Sequence, residues 1–330
     1  MTVLAVDDLR VDFATGDGRL SALAGVSFAV AEGEVLGLVG ESGCGKSTLA
    51  NAVMGLLPES ARVSGRIAYR ERDLLAMGAE ERRRLRGDRI SMVFQDPLSA
   101  LDPTASIGSQ VAETVRAHRH VSRSEARSRA IAVLGEVGIL DAASRYRDPP
   151  HRFSGGMRQR VVIATALAND PDVLIADEPT TALDATIQKQ ILTLLGELRT
   201  RHRMATLLIT HDLGVVAQTC DRVGVLYAGQ LVELAPTAEL FAEPRHPYTR
   251  TLLAALPQAG HERGRLPSLE GLVPDLTAPP PGCRFAPRCP HAMPECAVDP
   301  RLAGDGAHAV ACWLDEMSRA ASAPAEVPVR

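Results

Sequence analysis

Lysine is almost absent from this 330-residue sequence. Lys46 and Lys189 are the only two among 36 basic residues, and arginine carries the rest of the positive charge. A net charge of −4 leaves no basic surplus of the kind that binds nucleic acid. No stretch approaches the ~20 consecutive apolar residues that a membrane span needs. The opening MTVLAVDDLRVDF carries Asp7 and Asp8 and no positive segment ahead of an apolar core, which argues against a signal peptide. The chain is therefore expected in the cytoplasm, unless a partner holds it at a membrane. Six cysteines in that reducing compartment argue against a disulfide framework, and no two of them form a C-x-x-C pair. The length suits one large domain with a smaller one attached.

One of the two lysines lies in the stretch around which the rest is organised, VLGLVGESGCGKST at residues 35–48. Val35–Val39 is a short apolar run rich in β-branched residues, long enough for a buried parallel strand and too short for a helix. A turn with Gly40, Gly43 and Gly45 follows, and a helical pattern opens at Lys46, Ser47 and Thr48. Strand, loop and helix N-terminus make a P-loop, G-x-x-x-x-G-K-[ST]. Its glycines let successive N–H groups, those of Ser42 and Cys44 included, converge on phosphate oxygens, and the helix end adds partial positive charge. Lys46 supplies a mobile cation for the β and γ phosphates, and the Ser47 hydroxyl is placed to ligate Mg²⁺. These residues point to nucleotide binding.

The remaining chain alternates strand and helix patterns, which implies a parallel sheet covered on both faces. Residues 3–30 form two β-rich pieces about a turn at 15–18 and read as an antiparallel sheet. Phe13, near the end of the first piece, is either core filler or a stacking surface for adenine. ISMVFQD (90–96) reads as a buried strand ending at Gln95, and a helical pattern covers about 106 to 145. FSGGMRQR (153–160) is a Ser-Gly-Gly turn opening a helix. VLIADE (173–178) is a strand whose end presents two carboxylates: Asp177 to hold Mg²⁺ and Glu178 to polarise an attacking water. TLLIT (206–210) leads to His211, and VGVLYAGQLVEL is a late hairpin.

After about residue 240 the texture becomes proline-rich and cysteine-bearing, and reads as a separate appendage. Cys283, Cys289, Cys296 and Cys312 are separated by five, six and fifteen residues. Thiolates in a reducing cell bind soft metals, as an iron–sulfur cluster or zinc. The segment has few large apolar residues, so a metal is expected to supply its missing stabilisation, with His291 and His308 as spare ligands. The final ASAPAEVPVR reads as disordered.

In order, GESGCGKST, Gln95, FSGGMRQR, VLIADEP, TALD and ITHD resemble the Walker A, Q-loop, signature, Walker B, D-loop and H-loop motifs of an ABC-type ATPase. The tail, PRHPYTRTLLAALP followed by GCRFAPRCPHAMPEC and ACW, resembles the C-terminal region of dipeptide, oligopeptide and nickel importer ATPases. The resemblance implies an α/β fold, a P-loop NTPase (RecA-like) ABC core with an antiparallel β-subdomain. A cassette over residues 1–240 would include a helical subdomain at about 97–160, and a Cys-rich C-terminal extension would span 241–330. It implies ATP and Mg²⁺ as cofactors, with Ser47, Gln95 and Asp177 at the metal, Glu178 as base and His211 at the γ-phosphate. Two cassettes would stack head to tail, so that Ser154, Gly155, Gly156 and Gln159 cap the nucleotide of the opposite protomer. Phe153 and Met157 depart from the generic signature in the manner of the peptide-importer branch. For Cys283, Cys289, Cys296 and Cys312 the family implies a [4Fe–4S] cluster, with Zn²⁺ as the alternative.

The partners implied are a second ABC ATPase subunit (a related, non-identical chain), two transmembrane permease subunits and an extracytoplasmic solute-binding protein. The chain would sit peripherally on the cytoplasmic face of the membrane, hydrolysing ATP to drive uptake of peptides or similar solutes. A translation-associated factor would carry two tandem cassettes, and a DNA-repair ATPase would insert a long coiled coil; neither pattern is present. An exporter is set aside by the tail alone.

Overall fold

The computed structural model describes residues 1–16, 18–181, 183–255, 271–305 and 307–322. Two sheets carry the architecture. Thr2–Thr15 (β1) and Gly18–Ala31 (β2) form an antiparallel ladder, extended by Ala61–Tyr69 (β4) and Arg72–Asp73 (β5) in the order β2-β1-β4-β5. The second sheet is centred on Val35–Val39 (β3), Val173–Asp177 (β7) and Ala205–Ile209 (β8), each five residues long and buried throughout. Continuous burial of apolar runs is what parallel strands covered on both faces require. Ile90–Val93 (β6) and Arg222–Tyr227 (β9) also pair in parallel, on β7 and β3 respectively. Gln230–Pro236 (β10), Ala303–Asp305 (β11) and His308–Val310 (β12) close one edge in antiparallel register, giving the order β11-β12-β10-β9-β3-β8-β7-β6.

Lys46–Met54 (α1) leaves the P-loop and packs between the two sheets, where Leu49, Ala50 and Val53 join Leu36, Leu38, Ile175 and Leu207 in one core. Ala79–Leu85 (α2), which is rich in arginine, has no fully buried residue and lies on the surface, with Leu85 packed against the core. A helical subdomain follows: Pro97–Ala100 (α3), Ile107–His118 (α4), Arg123–Glu136 (α5), Ala142–Arg145 (α6) and Gly155–Leu167 (α7). Its core of Ile107, Val111, Val133, Leu134 and Ile163 runs on to Leu174 of β7, so the subdomain is packed against the sheet. The Ser122 capping box with Glu125 starts α5, satisfying orphan N–H groups at its first turn. Ala185–His202 (α8) and Leu213–Thr219 (α9) begin at the N-caps Asp184 and Asp212.

The segment after residue 240 differs from the reading of a separate appendage. Thr237–Ala242 (α10) and Pro247–Ala254 (α11) pack on the sheet, and β12 pairs with β10 through Glu233 and Leu234. Phe285 is 1% exposed, inside the core that holds Val39, Val225, Tyr227 and Tyr248. The tail borrows the cassette's core, which explains how a chain so poor in large apolar residues is ordered: one buried aromatic contributes about 2–3 kcal/mol. A last helix, Trp313–Ser322 (α12), includes Ala321 and Ser322, where the sequence reads as disordered. The rest of that stretch, and the proline-containing residues 256–270, lie outside the described residues. Among the described residues no helix is long and apolar enough to cross a membrane.

Candidate active site

The P-loop is braced from behind. A Cβ on Gly40 would lie 2.1 Å from the Leu226 carbonyl oxygen of β9, so no other residue fits there. The Gly229 amide donates to the Cys44 carbonyl at 2.9 Å. Helix α1 starts at Gly45 with no side-chain cap, leaving its first-turn N–H groups free for an anion. Lys46 is 7% exposed, and its Nζ donates to the Gly40 carbonyl at 2.7 Å and the Glu41 carbonyl at 2.9 Å. Its cation rests against the loop it would cross to reach a phosphate.

Glu178, just past β7, is where the other predicted residues meet. Its Oε2 accepts from Gln95 Nε2 at 3.0 Å and from the Thr181 hydroxyl at 2.8 Å. Its Oε1 lies 3.2 Å from His211 Nδ1. Burial works against the charged carboxylate, but the Thr181 and His211 contacts outweigh it and hold the group below the ordinary glutamate range. It is therefore ionised at neutral pH, the form that can accept a hydrogen bond from a water. Its backbone sits at φ 48°, a left-handed conformation costly for a residue with a side chain. Gln95 reaches it because β6 stops at Val93, two residues earlier than the sequence suggests, freeing Phe94 and Gln95 from the ladder.

Asp177 ends β7 and is 6% exposed. Burial raises its pKa, with the Ser47 hydroxyl and the Lys46 charge opposing. Its Oδ1 is buried with no hydrogen-bond partner. An orphaned carboxylate oxygen beside a P-loop hydroxyl fits a hard oxygen-seeking cation such as Mg²⁺.

The structure thus brings together Lys46, Ser47, Gln95, Asp177, Glu178 and His211. Ser154, Gly155 and Gly156 stand apart at the start of α7. There the Ser154 hydroxyl accepts from the Met157 amide at 3.4 Å, and Ser154 is exposed. Gln159 points inward, 1% exposed, with its Nε2 unpaired. Phe13 is half-buried against the core between the sheets. Thr181 is the site residue that sequence reasoning passed over. Its signal is a hydroxyl three residues after Glu178, in the stretch leading to Asp184.

Cys283, Cys289, Cys296 and Cys312 are free and partly buried, and all four line one cavity with Phe285 and Trp313. Burial pushes the Cys283 thiol up to about 11, and neighbouring thiols add to it. Yet among the described residues no group of three or more His, Cys, Asp or Glu is arranged to hold a metal ion. The expected centre is not preformed. His308 is no spare ligand either: its Nε2 lies 2.8 Å from Glu233 Oε1, both side chains fully enclosed between β12 and β10.

A carboxylate held between an amide and an imidazole, one strand away from a P-loop, defines a nucleotide-hydrolysing P-loop cassette. Comparison with known proteins narrows the class. The ABC transporter family matches residues 23–181, and the oligopeptide/dipeptide transporter C-terminal region matches residues 232–296. The chain is 48% identical over 318 residues to the dipeptide transport ATP-binding protein DppD of Bacillus subtilis, covering 95% of each chain. It is 46% identical over 300 residues to the oligopeptide transport ATP-binding protein OppD of Salmonella typhimurium, covering 91% of this chain and 90% of that one. Among solved structures, the dimeric post-hydrolysis state of the ATP-binding cassette MJ0796, bound to ADP and Pi, superposes with a TM-score of 0.64 at 28% identity, covering 71% of this chain and 98% of that one. The chain belongs to the ABC transporter ATPases, in the branch carrying the oligopeptide/dipeptide C-terminal region.

Proposed function

We propose that this chain is the ATP-hydrolysing subunit of an ABC importer, coupling ATP binding and hydrolysis to uptake of dipeptides, oligopeptides or related small solutes. The observation that carries the chemistry is the convergence of Gln95, Thr181 and His211 on Glu178. Family membership and the names of the relatives support the transported class. The free first-turn amides of α1 bind phosphate oxygens, and Lys46 turns from the Gly40 and Glu41 carbonyls to the β and γ phosphates. Phe13 stacks on the adenine. Mg²⁺, held by Ser47, Asp177 and Gln95, supplies positive charge to the phosphates. Glu178 takes a proton from the attacking water, and His211 contacts the γ-phosphate. Ser154, Gly155 and Gly156 complete the site of a second, related ATPase subunit stacked head to tail, whereas Gln159, enclosed behind the turn, does not reach it.

The cassette (1–240) and extension (241–330) then work peripherally on the cytoplasmic face of the membrane, with two permease subunits and an extracytoplasmic solute-binding protein. Glu178→Gln is expected to keep ATP and Mg²⁺ binding and to lower turnover by at least ~10²-fold. Near-normal steady-state hydrolysis in the assembled transporter would overturn the assignment.

For the tail, the lining of one cavity by all four cysteines supports a [4Fe–4S] cluster, or Zn²⁺, closing three successive loops. Iron, sulfide and zinc are to be assayed on protein purified without oxygen. Iron with sulfide selects the cluster, zinc alone the alternative, and neither metal removes the site.

A further inference from the structure

Two residues of the tail reach the P-loop. The Tyr248 hydroxyl, on a side chain with no solvent exposure, accepts from the Glu41 amide at 3.1 Å across 207 residues of sequence. Arg288 forms a two-pronged pair with the Glu41 carboxylate, Nη1 to Oε2 at 2.8 Å and Nη2 to Oε1 at 3.2 Å. The Arg288 side chain is only 6% exposed; it donates to the Tyr227 hydroxyl at 3.3 Å and lies 5.8 Å from the Tyr227 ring centroid. Tyr227, Tyr248 and Phe285 pack against one another in tilted and edge-to-face contacts, with ring centroids 4.7 to 5.5 Å apart, so the tail groups belong to one enclosed aromatic cluster. Glu41 is also the residue whose carbonyl holds Lys46.

Glu41 places a negative charge in the loop that is to receive a polyanion. Left alone, that charge would repel the phosphates. A fork-shaped guanidinium, shielded from water, cancels it and fixes the loop's first turn at the same time. Lysine could supply the charge but not the two parallel bonds.

We infer that Arg288 and Tyr248 are positioning residues for ATP: through Glu41 they set the shape of the P-loop and neutralise the one carboxylate within it. The inference rests on the P-loop being the nucleotide site, and its test separates the two. Full-length chain is titrated with ATP and Mg²⁺, and ATPase activity is then measured in the assembled transporter.

Arg288→Gln is expected to raise the ATP dissociation constant and KM about tenfold, with kcat at saturating ATP changed less than twofold. Arg288→Lys should fall between this variant and the wild type. Glu41→Gln combined with Arg288→Gln should recover most of the lost affinity, because removing both partners leaves no bare charge. A purely structural role would not be rescued by a second lesion. Tyr248→Phe should weaken ATP about fivefold, the size of one net hydrogen bond. Leu240→Ala, in the same core but away from the loop, is the control: it should lower the melting temperature without moving ATP affinity. Unchanged affinity in Arg288→Gln, no recovery in the double variant, or equal loss in Leu240→Ala overturns the inference. Loss of binding in Lys46→Ala is the independent check on the nucleotide site, and its absence would overturn that reading instead.

Discussion

The nucleotide centre and the cysteine cavity hold their reactive atoms in opposite ways. At the centre, the groups that would touch ATP already bind one another: Glu178 engages Gln95, Thr181 and His211, while Lys46 is held by two loop carbonyls. In the cavity, the backbone is anchored by Phe285 and by backbone bonds such as Cys283 N–H to the Cys296 carbonyl at 2.9 Å. The thiols themselves are met by backbone amides: His291 N–H donates to Cys289 Sγ at 3.4 Å, Phe285 and Ala286 donate to Cys283, and Leu314 and Asp315 to Cys312. A network of mutually satisfied polar groups keeps its geometry before its ligand arrives. Half-buried thiols met by backbone amides are shaped by the loops around them and leave the last step to whatever binds. Order in the tail therefore comes from the cassette beneath it.

The largest effect that could break this contrast lies at the anchor. Phe285→Ala should cost about 3–5 kcal/mol, as removal of an enclosed aromatic does, read as a shift of the denaturant midpoint. A loss below about 1 kcal/mol would mean that the tail stands on its own. The smaller effect sharpens the other side. Thr181→Val should lower kcat about fivefold, from loss of one hydrogen bond. It should also move the acid limb of the pH–rate profile to higher pH. The sign follows from the geometry: the Thr181 hydroxyl helps to hold the Glu178 carboxyl below its ordinary range, so without it the base is protonated earlier as pH falls. An unmoved acid limb would mean that Thr181 is a bystander.

How far each region was legible follows from the distance over which its chemistry is written. The P-loop, the Asp177–Glu178 pair and the Ser154 turn are local: each is a strand end or helix start whose residues are neighbours in sequence, and each stands where the motif predicts. The antiparallel pair β1 and β2 and the parallel strands β3, β6, β7 and β8 also follow from their apolar alternation and buried runs. Strands β11 and β12, three residues each, are too short to show a period, so the closing edge of the sheet was invisible. The pairing of Glu41 with Arg288 spans 247 residues, and nothing in either local pattern announces it. Gln95 was found as the end of a strand and by its likeness to the Q-loop, but the early exit at Val93 that lets it reach Glu178 is a matter of tertiary pairing.

The fully enclosed Glu233 on β10 bears on how the molecule is made. Its carboxylate accepts from the Arg245 and His246 amides and meets His308, partners 12, 13 and 75 residues further along the chain. Synthesis proceeds from the N-terminus, so the ribosome delivers this acid well before its last partner. Until residues 308–310 arrive, β10 is a bare strand edge with a carboxylate in its midst, and that charge opposes pairing with the edge of another nascent chain. Completion of the sheet is thus tied to nearly the last of the described residues, and a message cut short near its 3′ end would yield a cassette with all its catalytic motifs and an open seam.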